Sequence, residues 1–488
     1  MDVQAGLVAF RRRLAAQDPD ALDTIVALVE RLVTAGAPPD LTLRLGLEAA
    51  AESTNLGIHK AKRDALYDLL FELAVRADRP ADGLDVLEAR LETMAVNEGV
   101  GPFNANLRNL LLFMNYRAHP RDDAIVLPAS LVGPQKKKTV CFYLGAAPTA
   151  DVKASVYGSE LMAYRLAEEM AKEFEVYVVG IYVLHAYEKR GVRYLPSRVL
   201  YQLPRFAPPG FKFDVMVVSR YVEYFVDFDA RALADRTLVW VHDNHVVGFY
   251  QNMPMKDDGR GLVRNLDLAT VDAFVALSPW HERCLAELYG PAVAAKIRVV
   301  PNCYDEAAFS RLEEVCDQKV PLSFVWVSCP DRGLADVVRH FPAIAERFPG
   351  ATLHIYRKAM PELQKGAHPA ITFHGFAPND VVIAAMARAD YWLYPTDFKE
   401  SSCISAMEAQ RAGCVCIATR VAALATTLGP DTLFVDASTE RWAQVLERIA
   451  FCEANPDEKA RIRASGRAWA AQNTAAGVAA QWRDLFVK

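Results

Sequence analysis

Two series of short apolar runs, each alternating with longer helical stretches, constrain the fold of this chain more than any other feature. The runs are rich in branched and aromatic residues, and such alternation is typical of parallel sheets whose strands are joined by helices. The first series comprises Thr139–Leu144, Phe174–Gly180, Phe213–Ser219, Thr237–Asp243, Ala273–Ser278 and Ile297–Pro301. The second series comprises Leu322–Ser328, Thr352–Tyr356, Ile371–Gly375, Tyr391–Pro395, Val415–Thr419 and Thr432–Val435.

The two series predict an α/β fold with two Rossmann-like domains, at residues 139–305 and 320–472, facing each other across a cleft. Ligands of such sheets bind beyond the carboxyl ends of the strands, so we expect the functional site in that cleft. Residues 1–130 instead show apolar residues at helical spacing, separated by turn signals such as Pro38-Pro39. This segment predicts an all-α bundle or solenoid fragment, which is either a surface for a protein partner or self-association, or a simple scaffold.

Bulk properties exclude several classes of protein. A net charge of -5 argues against a general nucleic-acid binder. We find no long apolar span for a transmembrane helix and no secretory signal in the sequence. The 9 cysteines lack metal-binding or redox spacing, which predicts free thiols and a cytoplasmic location, with peripheral membrane attachment left open.

Glu400 and Glu408 frame the most informative local motif. A helix is predicted to begin at Ser401 and Ser402, which places the first carboxylate at the helix start and the second two turns inside. Eight positions correspond to about 12 Å along a helix axis, a spacing that fits two ends of an elongated ligand better than a shared proton. The helix N-terminus between them is suited to phosphate. The alternative is an acid beside a helix start plus a helix-surface glutamate.

This motif resembles that of the retaining glycosyltransferases of GT-B architecture, the family that includes glycogen and sucrose synthases. Their hallmark is two glutamates eight positions apart, followed by Ala and by a Gly ahead of a strand. Glu400, Glu408, Ala409 and Gly413 match it. The resemblance covers about residues 139–488 and implies a GT-B fold in which the last helix, within 473–488, crosses back to the first Rossmann-like domain.

The resemblance also implies roles for residues near the motif. Glu408 is expected to accept hydrogen bonds from ribose hydroxyls, and Glu400 to meet the hydroxyls of the transferred sugar. Two serines replace the Phe-Gly that often follows the first glutamate, and they are expected to cap the helix. The positions expected beside the donor at this helix start are Ser401, Ser402, Cys403, Ile404 and Ser405.

The resemblance further implies cations for the diphosphate after the first strand of the second domain. The family has an Arg and then a Lys-Gly pair there. Arg332-Gly333 matches the second element with Arg in place of Lys, and the alternative is a surface Arg at a helix start. Ser328 or a neighbour holds the place of the first cation, which Arg357 or Lys358 could replace.

Three further positions resemble sites in the family. Gly375 and Phe376 follow the third strand of the second series, where backbone groups meet the nucleobase; an ordinary turn is the alternative. Gly158, one of two glycines that the family has at a helix start, would let the backbone approach the donor phosphate. His242 stands where the family contacts the sugar near its reacting carbon, with a structural His or a zinc site with His245 as alternatives.

The resemblance therefore implies a retaining, metal-independent glycosyltransferase with no cofactor apart from its nucleotide-sugar co-substrate, for which UDP is favoured. The acceptor would be a hydroxyl of a glycan, lipid or protein. Two rival functions stay open: another GT-B chemistry, such as inverting transfer with a histidine base or nucleotide-sugar epimerisation, and a non-catalytic binding module.

Overall fold

A computed structural model of the chain describes most of its residues. The described residues are 3–16, 18, 20–52, 60–77, 79, 82–83, 86, 137–145, 158–180, 186–196, 199–200, 203, 211–222, 224–247, 263, 266–357 and 361–487.

Four helices dominate the described part of the N-terminal region: α1 (Val3–Ala15), α2 (Ala21–Thr34), α3 (Pro39–Glu52) and α4 (Lys60–Arg76). Their buried apolar faces form one cluster, to which Phe10, Leu22, Leu43, Leu66 and Leu70 contribute. The helical character predicted for 1–130 is therefore present over the described residues, whereas 87–130 lie outside them.

The first unit is built on an eight-stranded sheet. Its strands are β1 (Thr139–Tyr143), β2 (Glu175–Gly180), β3 (Tyr187–Lys189), β4 (Val192–Pro196), β5 (Phe213–Ser219), β6 (Ala234–Trp240), β7 (Ala273–Ala276) and β8 (Ile297–Val299). Their order across the sheet is β3-β4-β2-β1-β5-β6-β7-β8, and all neighbours are parallel except β3 and β4.

Helices cover this sheet and lead out of it. They are α5 (Gly158–Met170), α6 (Tyr224–Asp227), α7 (Ala230–Leu233), α8 (Pro279–Tyr289), α9 (Pro291–Ala294), α10 (Glu306–Ser310) and α11 (Glu313–Asp317). One face of α5 is apolar at helical spacing, and its Met162, Leu166 and Met170 are buried against the strands.

The second unit is built on a six-stranded parallel sheet with the order β11-β10-β9-β12-β13-β14. Its strands are β9 (Val320–Trp326), β10 (Thr352–Ile355), β11 (Ile371–Phe373), β12 (Ala389–Tyr394), β13 (Val415–Thr419) and β14 (Leu433–Val435). Its helices are α12 (Leu334–Arg347), α13 (Pro361–Gln364), α14 (Asn379–Arg388), α15 (Ile404–Arg411), α16 (Leu424–Thr427), α17 (Arg441–Ala454) and α18 (Pro456–Ala470).

The last helix, α19 (Ala475–Val487), packs on the first unit rather than on the second. Its Trp482 ring lies 4.8 Å from the ring of Trp240, and Arg236 donates a hydrogen bond to the carbonyl of Leu485 at 2.6 Å. The chain therefore passes from the second unit back to the first at this helix.

Every run predicted as a strand overlaps one, and the predicted strands form two parallel sheets. The prediction missed the hairpin of β3 and β4, which extends the first sheet at one edge. Arg190 and Gly191 form its two-residue turn, with φ of 51° and 77°. That pair of positive φ values fits a type I′ turn, whose usual signature is Asn-Gly rather than Arg-Gly.

Candidate functional site

The segment between β12 and α15 is bonded to the first unit on both sides of its glutamate. Ser401 Oγ donates to the carbonyl of His242 at 2.9 Å, and Ser278 Oγ donates to the carbonyl of Ser401 at 2.9 Å. Asn244 Nδ2 donates to the carbonyl of Lys399 at 2.7 Å. The residue between Lys399 and Ser401 is consequently held at the junction of the two units.

That residue, Glu400, is 4% exposed, and both of its carboxylate oxygens have partners in its own unit. Tyr394 Oη donates to Oε1 at 2.5 Å, and Arg332 Nη1 donates to Oε2. Burial and the neighbouring Cys403 and Glu400 raise the pKa of Tyr394 above its ordinary value, so its hydroxyl remains a donor at neutral pH. The Glu400 carboxylate is therefore fixed in orientation.

Arg332 supplies a fixed positive charge next to that carboxylate. It ends the short helical turn Pro330–Arg332, and its guanidinium lies 4.1 Å from the centre of the Phe398 ring. Burial disfavours its charge, but the Glu400 carboxylate outweighs burial and raises the pKa of Arg332. Gly333, with a φ of 106°, completes the turn into α12 in a left-handed conformation that favours glycine.

The predicted start of the motif helix is wrong by a few residues. α15 begins at Ile404, preceded by Cys403 in a left-handed conformation (φ 75°), with no side-chain cap. Ser401 bonds across the junction instead, and Ser402 is buried with its hydroxyl unpartnered. Neither serine caps the helix, and Glu408 lies little more than one turn inside it, because the chain makes a tight turn before the helix can start.

The start of α15 meets the start of α5 across the junction. A Cβ on Gly158 would lie 3.1 Å from Cδ1 of Ile404, which leaves little room for a larger residue. Ser405 Oγ lies 3.1 Å from Ser328 Oγ, at the end of β9. The first N–H groups of a helix have no acceptors within the helix, so Ile404 and Ser405 can present theirs to an anion.

Glu408 is also buried, at 6% exposure, and it is influenced by the charges of Arg357 in its own unit and of Arg165 in the first unit. Arg165 Nη1 of α5 lies 4.0 Å from Glu408 Oε1, and Arg165 Nη2 lies 3.5 Å from Asp305 Oδ2. Burial raises the pKa of Glu408 above its ordinary value, and the Arg165 charge opposes that rise. The second carboxylate of the motif thus lies where the two units and their connection meet.

His242 lies two residues beyond β6 and belongs to a polar network of the first unit. Its Nε2 is 3.0 Å from Ser219 Oγ, while Arg220 forms two hydrogen bonds, of 2.8 and 3.0 Å, with the Asp243 carboxylate. Desolvation of the imidazole and the nearby Arg220 charge lower the pKa of His242 to about 3. The ring is therefore neutral at physiological pH.

The loop at Gly375 and Phe376 lies farther along the second sheet. Gly375 has a φ of 75° with open space beside it, and Phe376 is 51% exposed. Arg357 Nε donates to the carbonyl of Val327 at 2.8 Å, and its guanidinium lies 5.7 Å from the Phe376 ring centre. Lys358 lies outside the described residues.

A metal site and a membrane-spanning helix would each leave a recognisable pattern in the part of the chain that the structure describes. There, no three His, Cys, Asp or Glu side chains are grouped as metal ligands would be. No described helix is both long and apolar enough to cross a membrane.

Sequence matches to known families cover part of the chain. Residues 323–450, about a quarter of the 488, match the family model described as "Glycosyl transferases group 1". No curated protein sequence matches this chain.

Solved structures align with most of this chain. Sucrose-phosphate synthase from Thermosynechococcus elongatus aligns with a TM-score of 0.54 at 16% identity, over 72% of this chain and 98% of its own. The glycosyltransferase from Rickettsia africae aligns at 0.54 and 12% identity, over 72% and 98%. Anabaena HepE in complex with UDP and glucose aligns at 0.51 and 14% identity, over 71% and 99%. This chain has the GT-B fold. Its second unit is similar to the group 1 glycosyltransferases, and identities this low establish the architecture alone.

Within this GT-B fold, the structure brings most of the predicted site residues to the junction of the units. Glu400, Arg332, Ser401 and His242 lie together on one side, and Glu408 lies beside α5. Sequence reasoning missed Tyr394 and Arg165, which lie against the two glutamates, and Arg220, whose charge acts on His242. Arg165 borders the apolar face of α5, but nothing in the sequence indicates which carboxylates it approaches.

Proposed function

We propose that this chain is a retaining glycosyltransferase that moves a sugar from a nucleotide-diphosphate sugar to a hydroxyl of a glycan, lipid or protein. A UDP-sugar is the favoured donor, because UDP accompanies a structural neighbour of similar architecture. The proposal is supported by the fold and by the match of the second unit to group 1 glycosyltransferases.

One observation carries the proposal: both motif glutamates are buried at the junction of the two units, on either side of the start of α15. Tyr394 and Arg332 already satisfy Glu400. By contrast, Arg165 lies 4.0 Å from Glu408, so a ligand hydroxyl can supply a hydrogen bond that this second buried carboxylate does not receive from Arg165. We assign the transferred sugar to Glu400, the ribose to Glu408, and the diphosphate to Arg332 and the N–H groups at the start of α15. The Gly375–Phe376 loop would meet the base.

The proposed reaction breaks the bond between the anomeric carbon and the diphosphate oxygen, whose electron pair leaves with the nucleotide diphosphate. The acceptor oxygen bonds to the same carbon on the same face, and its proton passes to the departing phosphate oxygen. Atoms and charge balance without a protein nucleophile. Arg332 and the helix start would stabilise the negative charge that develops on the leaving group, so we propose that no metal is required.

An inverting reaction would instead need a general base near the acceptor. The sequence offered His242 for that role. An imidazole with a pKa of about 3 is a weak proton acceptor at neutral pH, and the Nε2 of this ring faces the Ser219 hydroxyl. This environment favours the retaining proposal.

Two further assignments belong to the proposal. The N-terminal helices α1–α4 would recruit a protein partner or a second copy of the chain. The enzyme would work in a reducing compartment such as the cytoplasm, because the 9 cysteines are free and most are buried.

The test has two stages. First, UDP, GDP and ADP are added to the purified chain with and without EDTA, and the melting temperature is measured. A ligand that binds only the folded state raises it. Second, the sugar donor of the best nucleotide is supplied, and the anomeric configuration of the transferred or hydrolysed sugar is read by NMR. Retention supports the proposal and inversion contradicts it. If none of the three nucleotides binds, the result contradicts the proposed donors and favours the non-catalytic module.

A further inference from the structure

Arg165 is a buried arginine at the junction of the two units. It projects from α5 of the first unit, and only 10% of its side chain is exposed. Its guanidinium faces two carboxylates, Asp305 at the start of the connection between the units and Glu408 of the second unit, at 3.5 and 4.0 Å. One buried cation therefore serves two acids that belong to different parts of the chain.

The contacts of Arg165 leave one buried nitrogen without a hydrogen-bond acceptor. Nη2 reaches Asp305 at the limit of a hydrogen bond, whereas Nη1 is buried and has no hydrogen-bond partner. A buried donor without a partner is destabilising, so such an atom is well placed to gain from a ligand that accepts a hydrogen bond. Glu408 at 4.0 Å is too distant to satisfy it.

The donor site proposed above lacks the first of the two cations expected on the second unit. Ser328 occupies the end of β9, where a first basic residue was expected, and its hydroxyl faces Ser405. Arg332 is already paired with Glu400. Arg357 lies beside Phe376 and holds the carbonyl of Val327. A diphosphate carries more negative charge than Arg332 alone can offset.

We propose that Arg165 is a donor-binding residue contributed by the first unit, whose Nη1 donates to an oxygen of the phosphate next to the ribose. The inference rests on the proposed function, because it places the ribose at Glu408. The ribose and its phosphate are adjacent groups in the nucleotide. When Glu408 binds the ribose, Arg165 beside it can therefore reach the phosphate. The nucleotide is then held by both units at once, by Glu408 from one side and by Arg165 from the other.

The experiment compares each nucleoside diphosphate with its nucleoside. The wild-type chain is titrated calorimetrically with UDP, ADP and GDP and with uridine, adenosine and guanosine. The tightest diphosphate and its nucleoside are then used for Arg165→Gln and Arg165→Lys. The matched control is Arg190→Gln, an arginine of the first unit that pairs with Glu168 at 2.9 Å and is 70% exposed.

We expect Arg165→Gln to weaken diphosphate binding by about tenfold to a hundredfold, as for a lost charge-assisted hydrogen bond, and to change nucleoside binding less than about threefold. Arg165→Lys should recover part of the loss, and Arg190→Gln should match the wild type. Unchanged diphosphate affinity in Arg165→Gln, or equal losses for diphosphate and nucleoside, would overturn the inference.

A second variant keeps the inference testable if Arg165→Gln does not fold. Asp305→Asn removes a carboxylate that competes for the guanidinium, and Asn retains the cap that Asp305 provides to Ala308 N at 3.0 Å. Diphosphate affinity should rise a few-fold in this variant. A fall would overturn the inference, since it would mean that the ion pair only supports the fold. If the wild type binds none of the three diphosphates, the proposed function fails and this inference with it.

Discussion

The two glutamates of the motif lie on the same short stretch of chain but in different surroundings. Glu400 is held by Tyr394 and Arg332, which both belong to its own unit. Glu408 faces Arg165 of the other unit at 4.0 Å, across the junction. One carboxylate is thus oriented before the units meet, whereas the other depends on how they meet.

This difference indicates that Glu400 and Glu408 can serve different steps, sugar transfer and nucleotide binding. A carboxylate held by its own unit can stay in one geometry throughout a reaction, which suits the reacting sugar. Glu408 is influenced by the charge of Arg357 in its own unit and by that of Arg165 in the other, so part of its surroundings exists only when the units are together, which suits a group that binds the nucleotide between them. Variants at the two positions should therefore affect transfer and affinity differently.

The largest expected effect is the loss of transfer in Glu400→Gln. The substitution keeps the shape of the side chain but removes the charge opposite Arg332, so we expect the transfer rate to fall by about a hundredfold or more. Nucleotide affinity should change less than about threefold. Steady-state kinetics and calorimetry on the same sample measure both, and transfer at the wild-type rate would contradict the role assigned to this residue.

The next effect is the loss of nucleotide affinity in Glu408→Gln. An amide accepts hydrogen bonds less strongly than a carboxylate, so ribose binding should weaken by about tenfold. The 2′-deoxynucleotide provides the matched ligand: its affinity should fall less than that of the ribonucleotide. Equal losses of affinity for the two ligands would contradict the assignment of the ribose to Glu408.

A smaller effect is expected for Tyr394→Phe. The variant loses the hydroxyl that donates to Glu400 Oε1 at 2.5 Å but keeps the buried ring. We expect a few-fold lower transfer rate and a loss of about 1 kcal/mol in the free energy of unfolding. Urea unfolding and kinetics measure these quantities; Tyr391→Phe, whose hydroxyl donates to Glu453, is the control that should lower stability only.

The smallest effect concerns stability against pH at Glu408. Burial raises its pKa in the folded state above the ordinary 4.5, so the unfolded chain loses this proton first as the pH rises. The free energy of unfolding of the wild type therefore falls as the pH rises from the pKa of Glu408 in the unfolded chain to its pKa in the folded chain. Glu408→Gln should match the wild type below pH 4.5 and exceed its melting temperature by a few degrees at neutral pH. A variant less stable than the wild type at neutral pH would contradict the assignment.

The fold could be predicted closely from the sequence because parallel strands buried on both faces read as continuous apolar runs. The run ending at Pro395 and the one beginning at Val415 locate β12 and β13 within two residues. The hairpin of β3 and β4 was not predicted because its turn residues, Arg190 and Gly191, lack the usual pattern.

The site could be predicted only in part. The spacing of Glu400 and Glu408 was visible, since it lies within one stretch of chain. The contact of Arg165 with Glu408 joins residues far apart in sequence, which no local pattern reveals. The start of α15 was misjudged because serines usually cap helices, whereas here Ser401 is used to bond the carbonyl of His242.

The return of α19 to the first unit also affects how the protein is made. Val478, Ala479, Trp482 and Phe486 complete the apolar core beside β6, yet the ribosome adds them after the whole second unit. Until then the earlier sheet leaves Trp240 uncovered, while the second unit can already close its own core. We therefore expect the first unit to complete its core only after the second unit has been synthesised.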